Sequence, residues 1–303
     1  MKGKKISKVG LVVKFHQAEA AKLALDVGHY LLKRGIAVTF EDKSRAIANN
    51  LAREAKKQGL RRARISAVTK QRLVDSVDLI VVLGGDGTYL SIARLMMKRS
   101  VPVLGVNMGR LGFLTEIKKQ EISSILGQIL DQKKIIISER ALFEVFLKRG
   151  KKTIYHGLVV NDAVVSKGSI ARIIEIQLGV NGQWANSVRA DGIIVSTPTG
   201  STAYSLAAGG PIVEPALNAM LVTPICAHSL TQRPLVLTDD NELLIRLTHR
   251  PGAVFLTLDG QDVVEMKEED IVQIRRFRRH PLRLVSSPTR DYFSLLHEKL
   301  KFG

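Results

Sequence analysis

The chain has 303 residues, enough for one large or two ordinary domains, and its 45% hydrophobic content and mean hydropathy of +0.07 are those of a globular protein. The single cysteine, Cys226, excludes an internal disulfide and a cysteine-rich metal site; we find neither a signal peptide nor an apolar run of spanning length, so we expect a cytoplasmic protein. The net charge of +18 suits nucleic acid, an anionic membrane surface or a small polyanion such as ATP, and does not choose among them.

The first 134 residues predict an α/β domain. Apolar runs at 9–13 and 36–40 indicate strands, and the amphipathic stretch 17–33 between them indicates a helix that ends before Gly35. The polar, basic stretch 41–76 has only weak helical signals, and we expect loop and surface helix there. Further along we predict strands at 79–83 and 102–106 and helices at 91–98 and 121–134. This alternation favours a parallel sheet covered by helices.

A glycine-rich turn holding one carboxylate follows the predicted strand 79–83: Gly84-Gly85-Asp86-Gly87-Thr88. Glycines leave room for main-chain N–H groups to approach an anion, and we expect Thr88 to cap the following helix, whose positive end faces that anion. A carboxylate there repels phosphate unless it binds a metal or accepts a proton from the attacking group. A surface Asp-Gly turn is the alternative, but the strand-to-helix context favours phosphoryl transfer with Asp86 as base.

Residues 135–280 predict a mostly β domain. A hairpin signal, Asn181-Gly182, separates two of its strands. The predicted strands are 143–147, 158–165, 173–180, 193–197, 243–248 and 254–258. The end of the chain, 281–303, contains a predicted helix at 291–301, which we expect to pack back on the first domain.

Two further segments carry candidate binding groups. Residues 191–207 are dense in small hydroxyl side chains around Gly200, and such a turn offers hydroxyls and main-chain donors to a ligand, although hydroxyl-rich loops are common. Asn161-Asp162 interrupts an otherwise apolar run, and taken alone it is equally compatible with a β-turn.

These motifs resemble one enzyme family. The Gly84–Thr88 sequence is similar to the GGDGT signature shared by NAD kinases, diacylglycerol and sphingosine kinases and 6-phosphofructokinases. Residues 191–207 resemble the long second motif of NAD kinases, and Asn161-Asp162 resembles the Asn-Glu/Asp pair of that family. The segments 109–114 and 258–261 also fall where the family pattern puts them, so the resemblance covers roughly residues 80–265. One departure is Ala227 before His228, where many relatives carry proline; this loosens the placement of His228.

The resemblance implies a Rossmann-like N-terminal domain with a GGDGT phosphate loop, a mostly β, NAD kinase-like C-terminal domain, and a bacterial-type NAD kinase activity. ATP would phosphorylate the 2′-hydroxyl of the adenosine ribose of NAD, giving NADP, with Mg²⁺ or another divalent cation carried on ATP rather than by protein ligands. It also implies a homodimer or homotetramer. Asp86 is the implied catalytic base. The implied NAD-binding residues are Asp86, Gly87, Asn161, Asp162, Arg172, Arg189, Asp191, Thr202, Ala203, Tyr204, Ser205, Leu206, Ala207, His228 and Gln261.

Two other functions compete with this interpretation. A lipid kinase shares the glycine motif, and its basic surface would bind anionic membranes. A nucleic-acid-binding protein would use the positive charge, but the basic clusters near residues 61–64, 148–152 and 275–279 carry no interleaved aromatics, so solvated faces explain them better. We therefore expect neither a specific nucleic acid nor a membrane as partner.

Overall fold

The computed structural model describes residues 6–60, 62–132, 135–168, 172–229, 231–249 and 252–301. The chain forms two compact units: unit 1 comprises 1–139 and 282–303, and unit 2 comprises 140–281. In the described parts, no helix has the length and apolar character needed to cross a membrane.

Strands dominate the structure, with helices concentrated in unit 1. The helices are α1 (Ala18–Lys33), α2 (Arg45–Lys57), α3 (Lys70–Ser76), α4 (Asp86–Ala93), α5 (Ile122–Leu130), α6 (Tyr204–Ala207) and α7 (Tyr292–Leu300). The strands are β1 (Lys8–Val13), β2 (Ala37–Glu41), β3 (Ile65–Val68), β4 (Leu79–Gly84), β5 (Val103–Asn107), β6 (Ile117–Lys118), β7 (Ile137–Arg140), β8 (Phe143–Arg149), β9 (Lys152–Val159), β10 (Asp162–Lys167), β11 (Ile174–Val180), β12 (Gln183–Ala190), β13 (Gly192–Ser196), β14 (Ala219–Ile225), β15 (Leu235–Thr238), β16 (Leu243–His249), β17 (Val254–Leu258), β18 (Asp262–Met266), β19 (Asp270–Arg276) and β20 (Leu282–Val285).

Unit 1 is built on a sheet of order β3-β2-β1-β4-β5-β20-β7, with β6 beside β5. The pairs from β3 through to β20 are parallel. Strands β1 and β4 are neighbours in this sheet. From β1 the chain continues to β2 and β3 on one side, and from β4 it continues to β5 on the other side. The carboxyl ends of β1 and β4 therefore form a topological switch point, where ligands bind in sheets of this type. Helices α1 and α2 pack closely because Gly28 has no side chain: a Cβ there would lie 2.5 Å from Cδ2 of Leu51.

The structure corrects the prediction for 41–76. This stretch forms α2, the parallel strand β3 and α3, where we expected only loop and surface helix. Strand β3 is at the sheet edge and its residues are partly exposed, so its apolar pattern is weak. Helix α4 also ends at Ala93, before the predicted Lys98, and the last two residues of the predicted helix 121–134 lie outside the described residues.

Unit 2 consists of two six-stranded sheets, in the orders β15-β14-β13-β10-β17-β18 and β12-β11-β16-β19-β8-β9. Alternate residues of both sheets form one apolar core that includes Phe143, Leu178, Val195 and Leu256. The Asn181-Gly182 hairpin between β11 and β12 is confirmed, with positive φ at both residues. The predicted strand 158–165 is wrong in one respect: it is two strands, because the chain leaves one sheet at the end of β9 and enters the other at β10.

A buried ion pair links two neighbouring strands of unit 2. Asp270 is fully buried and accepts hydrogen bonds from Nε and Nη2 of Arg149 at 2.7 and 2.8 Å and from the main-chain N–H of Lys267 at 2.8 Å. Burial acts to raise the pKa of Asp270, but the hydrogen bonds from Arg149 and Lys267 outweigh it and lower the pKa below its usual value.

We expect Asp270→Asn to lower the free energy of unfolding at pH 7 by roughly 1–3 kcal/mol, because a charge-assisted acceptor is lost from a buried site. The stabilisation by this carboxylate is present above the pKa of an unfolded aspartate and is lost as pH falls through the lower, folded pKa. Urea unfolding at pH 7 measures the effect. Glu269→Gln, at the exposed neighbouring position, is the control and should leave stability nearly unchanged; equal effects of the two substitutions would contradict the prediction.

Candidate active site

The glycine-rich turn lies at the carboxyl end of β4, at the switch point of the unit 1 sheet. Helix α4 begins at Asp86, with Gly85 in extended conformation at the cap position. The expectation that Thr88 caps this helix is wrong, since Thr88 lies within the first turn and its N–H donates to the carbonyl of Gly85. Its side chain explains Gly84 instead: a Cβ at Gly84 would lie 2.6 Å from Oγ1 of Thr88.

The Asp86 carboxylate is surrounded by main-chain donors from the loop after β5. Oδ2 accepts from the N–H of Phe113 at 2.9 Å, and Oδ1 accepts from the N–H groups of Leu114 and Thr115 at 3.2 and 3.0 Å. The Thr115 hydroxyl donates to Oδ1 at 2.9 Å. Among the described residues Oδ2 has this single partner, so its second lone pair can accept from a ligand hydroxyl. The carboxylate is therefore held in one orientation with one site left for a proton donor.

Two residues of the same loop complete this arrangement. Gly112 passes so close that a Cβ would lie 1.9 Å from Oδ1 of Asp86, which explains why the position has no side chain. Asn107, at the end of β5, donates from Nδ2 to the Thr115 hydroxyl at 3.3 Å and accepts from the N–H of Gly109 at 2.7 Å. The sequence indicates residues 109–114 only through their resemblance to the family pattern. It does not predict that the loop after β5 contacts Asp86.

In unit 2, Asn161 and Asp162 lie where the chain crosses from one sheet to the other. Their main-chain N–H groups, and that of Val160, donate to the carboxylate of Asp259 at 2.8, 3.1 and 2.9 Å. Asp259 belongs to the turn between β17 and β18, and its own N–H donates to the carbonyl of Asp162 at 2.9 Å. The turn therefore fixes the crossover segment.

A cavity of about 390 Å³ opens beside this crossover. Four of its lining residues are among those predicted from the sequence: Asn161, Asp162, Ala203 and Tyr204. The others were not predicted as ligand contacts: Val164, Ser166, Thr257, Asp259 and Gly260. Of these, Asp259 and Gly260 lie in a recognised motif, while the others lie within ordinary strands and carry no sequence signal.

Burial dominates the electrostatics of Asp162. Burial and, to a smaller extent, the neighbouring Asp259 carboxylate raise the pKa of Asp162 to about 7, although the hydrogen bond from the main-chain N–H of Tyr204 acts in the opposite direction. Asp162 is buried at the cavity wall. Its carboxyl group therefore gains or loses a proton near neutral pH, which suits a group that exchanges hydrogen bonds with a ligand.

The hydroxyl-rich segment forms a short 3₁₀ turn, Thr199–Thr202, followed by α6. Gly200 allows this turn to lie on the crossover, since a Cβ there would lie 2.2 Å from the carbonyl oxygen of Asn161. Ser205 is fully buried and its hydroxyl pairs with Thr223 at 2.9 Å, so its side chain faces the protein interior rather than the cavity. Three other predicted residues of this segment do not line the cavity: Thr202, Leu206 and Ala207.

Some of the remaining predicted residues gather at the ends of β12, β13 and β14. Asp191 pairs with Lys167 at 2.8 Å, and the N–H of His228 donates to the carbonyl of Arg189 at 2.8 Å. Arg189 and His228 are exposed. Arg172 is exposed and lies ahead of β11, and Gln261 lies in the β17–β18 turn. The 390 Å³ cavity is not lined by any of these five predicted NAD contacts: Arg172, Arg189, Asp191, His228 and Gln261. Gly87, in unit 1, does not line it either.

A glycine turn with an anchored aspartate at the switch point of the unit 1 sheet, and a cavity in unit 2 lined by an Asn-Asp pair, are features expected of a nucleotide-dependent kinase of the phosphotransferase class. Comparison with known proteins gives the family. Residues 9–135 match the model of the ATP-NAD kinase N-terminal domain, and 160–286 match that of the ATP-NAD kinase C-terminal domain. The chain belongs to the NAD kinase family.

Individual relatives agree with this assignment. The NAD kinase of Trichlorobacter lovleyi is 48% identical over 78% of this chain and 82% of its own length. That of Geotalea daltonii is 41% identical over 98% of this chain and 99% of its own. Among solved structures, yeast NADH kinase complexed with NADH aligns with a TM-score of 0.87 and 26% identity, covering 99% of this chain and 89% of that one. An NAD kinase from Archaeoglobus fulgidus in complex with ATP shares the fold, with a TM-score of 0.69 and 22% identity over 98% and 100% of the chains.

The raised pKa of Asp162 predicts a pH-dependent cost to stability. Below about pH 4 the group is protonated in both folded and unfolded states, and as pH rises towards 7 only the unfolded state ionises freely, so the fold loses on the order of 4 kcal/mol. We expect Asp162→Asn to lack this loss and to gain stability relative to the parent between pH 4 and 7. Urea unfolding across that range measures it. The exposed Asp240→Asn is the control, and a constant difference between Asp162→Asn and parent at all pH values would refute the prediction.

Proposed function

We propose that this chain is an ATP-dependent NAD kinase that transfers the γ-phosphoryl group of ATP to the 2′-hydroxyl of the adenosine ribose of NAD, forming NADP. The observation that carries the proposal is the Asn161-Asp162 pair, which the sheet crossover presents to the cavity of unit 2. An amide and a carboxyl group side by side suit the hydroxyl groups of a ribose, because together they offer donors and acceptors. The yeast relative crystallised with NADH supports a nicotinamide dinucleotide as the ligand.

The roles of the other residues follow from their surroundings. Asp86 accepts the proton of the attacking hydroxyl through Oδ2, while the loop donors hold its orientation. Gly87, which has no side chain, lies in the first turn of α4, where we propose that a phosphate binds. Ala203 and Tyr204, which line the cavity, contact the adenosine in this proposal. We also assign NAD contacts at the adenine and neighbouring subsites to Thr202, Ser205, Leu206 and Ala207. Further NAD contacts are proposed for Arg172, Arg189, Asp191, His228 and Gln261.

The reaction also needs a divalent cation, and Mg²⁺ is our proposal. Within the described residues, no group of three or more His, Cys, Asp or Glu side chains comes together, so the donor set fits a cation held mainly by the oxygens of ATP. When bound, the cation neutralises phosphate charge. We also propose a cytoplasmic enzyme, in keeping with its single cysteine, that assembles as a homodimer or homotetramer, which light scattering on the purified protein tests.

Purified protein incubated with ATP, Mg²⁺ and NAD tests the function directly. The expected product is NADP, detected by an NADP-specific dehydrogenase, with no product when either ATP or NAD is omitted. Parallel reactions with diacylglycerol or sphingosine vesicles test the alternative lipid kinase. Phosphorylation of a lipid without formation of NADP would replace the proposal.

We expect Asp86→Asn to lower kcat by about 10²–10⁴, the usual contribution of a general base. The substitution also places an amide opposite the loop donors, so loop disturbance needs its own control. Thr115→Val removes one hydroxyl donor to Asp86 and leaves the carboxylate in place. Turnover of both variants at saturating substrates decides. A near-normal Asp86→Asn enzyme, or an equal loss in Thr115→Val, would rule out the role of Asp86 as base.

Arg189 is expected to favour NAD over NADH. It lies exposed at the end of β12, opposite Glu175 in the strand register. Simple charge repulsion by the guanidinium disfavours the cationic oxidised ring. A planar guanidinium held by nearby carboxylates would leave room for a flat ring and crowd the puckered reduced one, and we propose that this effect decides the preference. We expect Arg189→Gly to lower the ratio of kcat/KM for NAD to that for NADH. Ser187→Gly, two residues earlier on the same strand, controls for added backbone freedom, and an unchanged ratio in Arg189→Gly contradicts the expectation.

A further inference from the structure

The turn between β17 and β18 has a positive φ at two successive residues. Asp259 has a φ of 49° and Gly260 a φ of 64°, and the N–H of Gln261 closes the turn on the carbonyl of Leu258 at 2.9 Å. Positive φ is uncommon for residues with a side chain, and aspartate is among the types that tolerate it best. Aspartate therefore suits the turn, and at position 259 it also brings a carboxylate to the main chain of residues 160–162.

The Asp259 carboxylate accepts hydrogen bonds from the main-chain N–H groups of the crossover segment, residues 160–162. The strand ladders of the two sheets end at Val159 and begin at Asp162, so the N–H groups of Val160 and Asn161 lie outside both ladders. Asp259 Oδ2 accepts from Val160, and Oδ1 accepts from Asn161 and Asp162. Buried N–H groups need partners, and successive N–H groups of this kind form a concave anion-binding surface. Asp259 is only 8% exposed and fills that surface.

We propose that Asp259 is a positioning residue for the nucleoside site: its carboxylate holds the main chain of residues 160–162 so that the side chains of Asn161 and Asp162 face the cavity. The proposal rests on the proposed function, since it gives Asn161 and Asp162 their role in binding the ribose. Asp259 acts through the main chain of these residues and not on the reacting atoms.

The electrostatic cost of the arrangement supports this role. Asp259 places a second carboxyl group near the buried Asp162 and raises the pKa of Asp162, so the pair destabilises the fold near neutral pH. An amide at position 259 would avoid the repulsion but offers one acceptor oxygen for three N–H groups. Among side chains of this length, the carboxylate is the one that satisfies all three N–H donors. The order of residues 160–162 is therefore maintained at a cost in stability, as is common at functional sites.

Three variants test the proposal. Asp259→Asn removes an acceptor while keeping size, and Asp259→Gly removes the carboxylate while suiting the positive φ of the turn, so that the test survives if one variant folds poorly. Asp262→Asn is the matched control, because Asp262 lies in the same hairpin but accepts from the hydroxyl of Tyr155, at 2.7 Å, and does not line the cavity.

The first measurement is hydrogen exchange of the ligand-free protein. We expect the peptide spanning 158–164 to exchange about 10-fold faster or more in both Asp259 variants, and at the parent rate in Asp262→Asn. This measurement does not depend on any activity. Unchanged protection in the Asp259 variants overturns the proposal even if the protein proves to be an NAD kinase.

The second measurement is steady-state kinetics with the parent and the three variants. We expect KM for NAD to rise about 10–100-fold in the Asp259 variants, with KM for ATP unchanged, because only the ribose contacts are displaced. A merely structural role would lower the folded fraction and therefore kcat, leaving both KM values alone, and that pattern overturns the proposal. If the parent forms no NADP, the proposed function fails, and hydrogen exchange alone then decides whether Asp259 orders the crossover.

Discussion

Each unit contains an aspartate whose carboxylate accepts hydrogen bonds from three successive main-chain N–H groups, at a place where the chain leaves regular secondary structure. Asp86 accepts from residues 113–115 in unit 1, and Asp259 accepts from residues 160–162 in unit 2. The physical constraint is the same in both: a main-chain N–H removed from water needs an acceptor, and a loop has no neighbouring strand to supply one. An ionised carboxylate can supply several acceptors at once. In each unit one aspartate side chain therefore orders three consecutive residues of a loop, with help from other polar side chains such as Asn107 in unit 1 and Thr197 in unit 2.

This constraint explains the glycines around the site better than a general need for flexibility. Gly112 and Gly200 do not have positive φ, and each lies where another part of the chain comes within van der Waals distance of its Cα. Their hydrogen atoms face Asp86 and the carbonyl of Asn161, respectively. Close packing of main chain against the anchoring groups keeps the donors and acceptors of these loops at hydrogen-bonding distance.

The sequence predicts those parts of the fold whose causes are local. The continuous apolar run of β4, the glycines after it and the Asn181-Gly182 turn depend on near neighbours, and each lies where the sequence places it. The edge strand β3 and the division between β9 and β10 depend on pairing with distant strands, so local pattern is uninformative. The same applies to the site. Asp86 was evident from its glycines, whereas the partners of Asp259 lie more than ninety positions away in the sequence and only the fold brings them together.

The position of β20 has a consequence for how the protein is made. This strand lies between β5 and β7 in the sheet of unit 1, although it follows the whole of unit 2 along the chain. During synthesis on the ribosome, every residue of unit 2 emerges while the sheet of unit 1 still lacks an interior strand. Until β20 emerges, β5 has only β4 and β6 as partners, and β7 lacks its neighbour in the sheet. Unit 2 is thus able to complete its two sheets first, and the sheet of unit 1 is completed only after β20, at 282–285, has been translated.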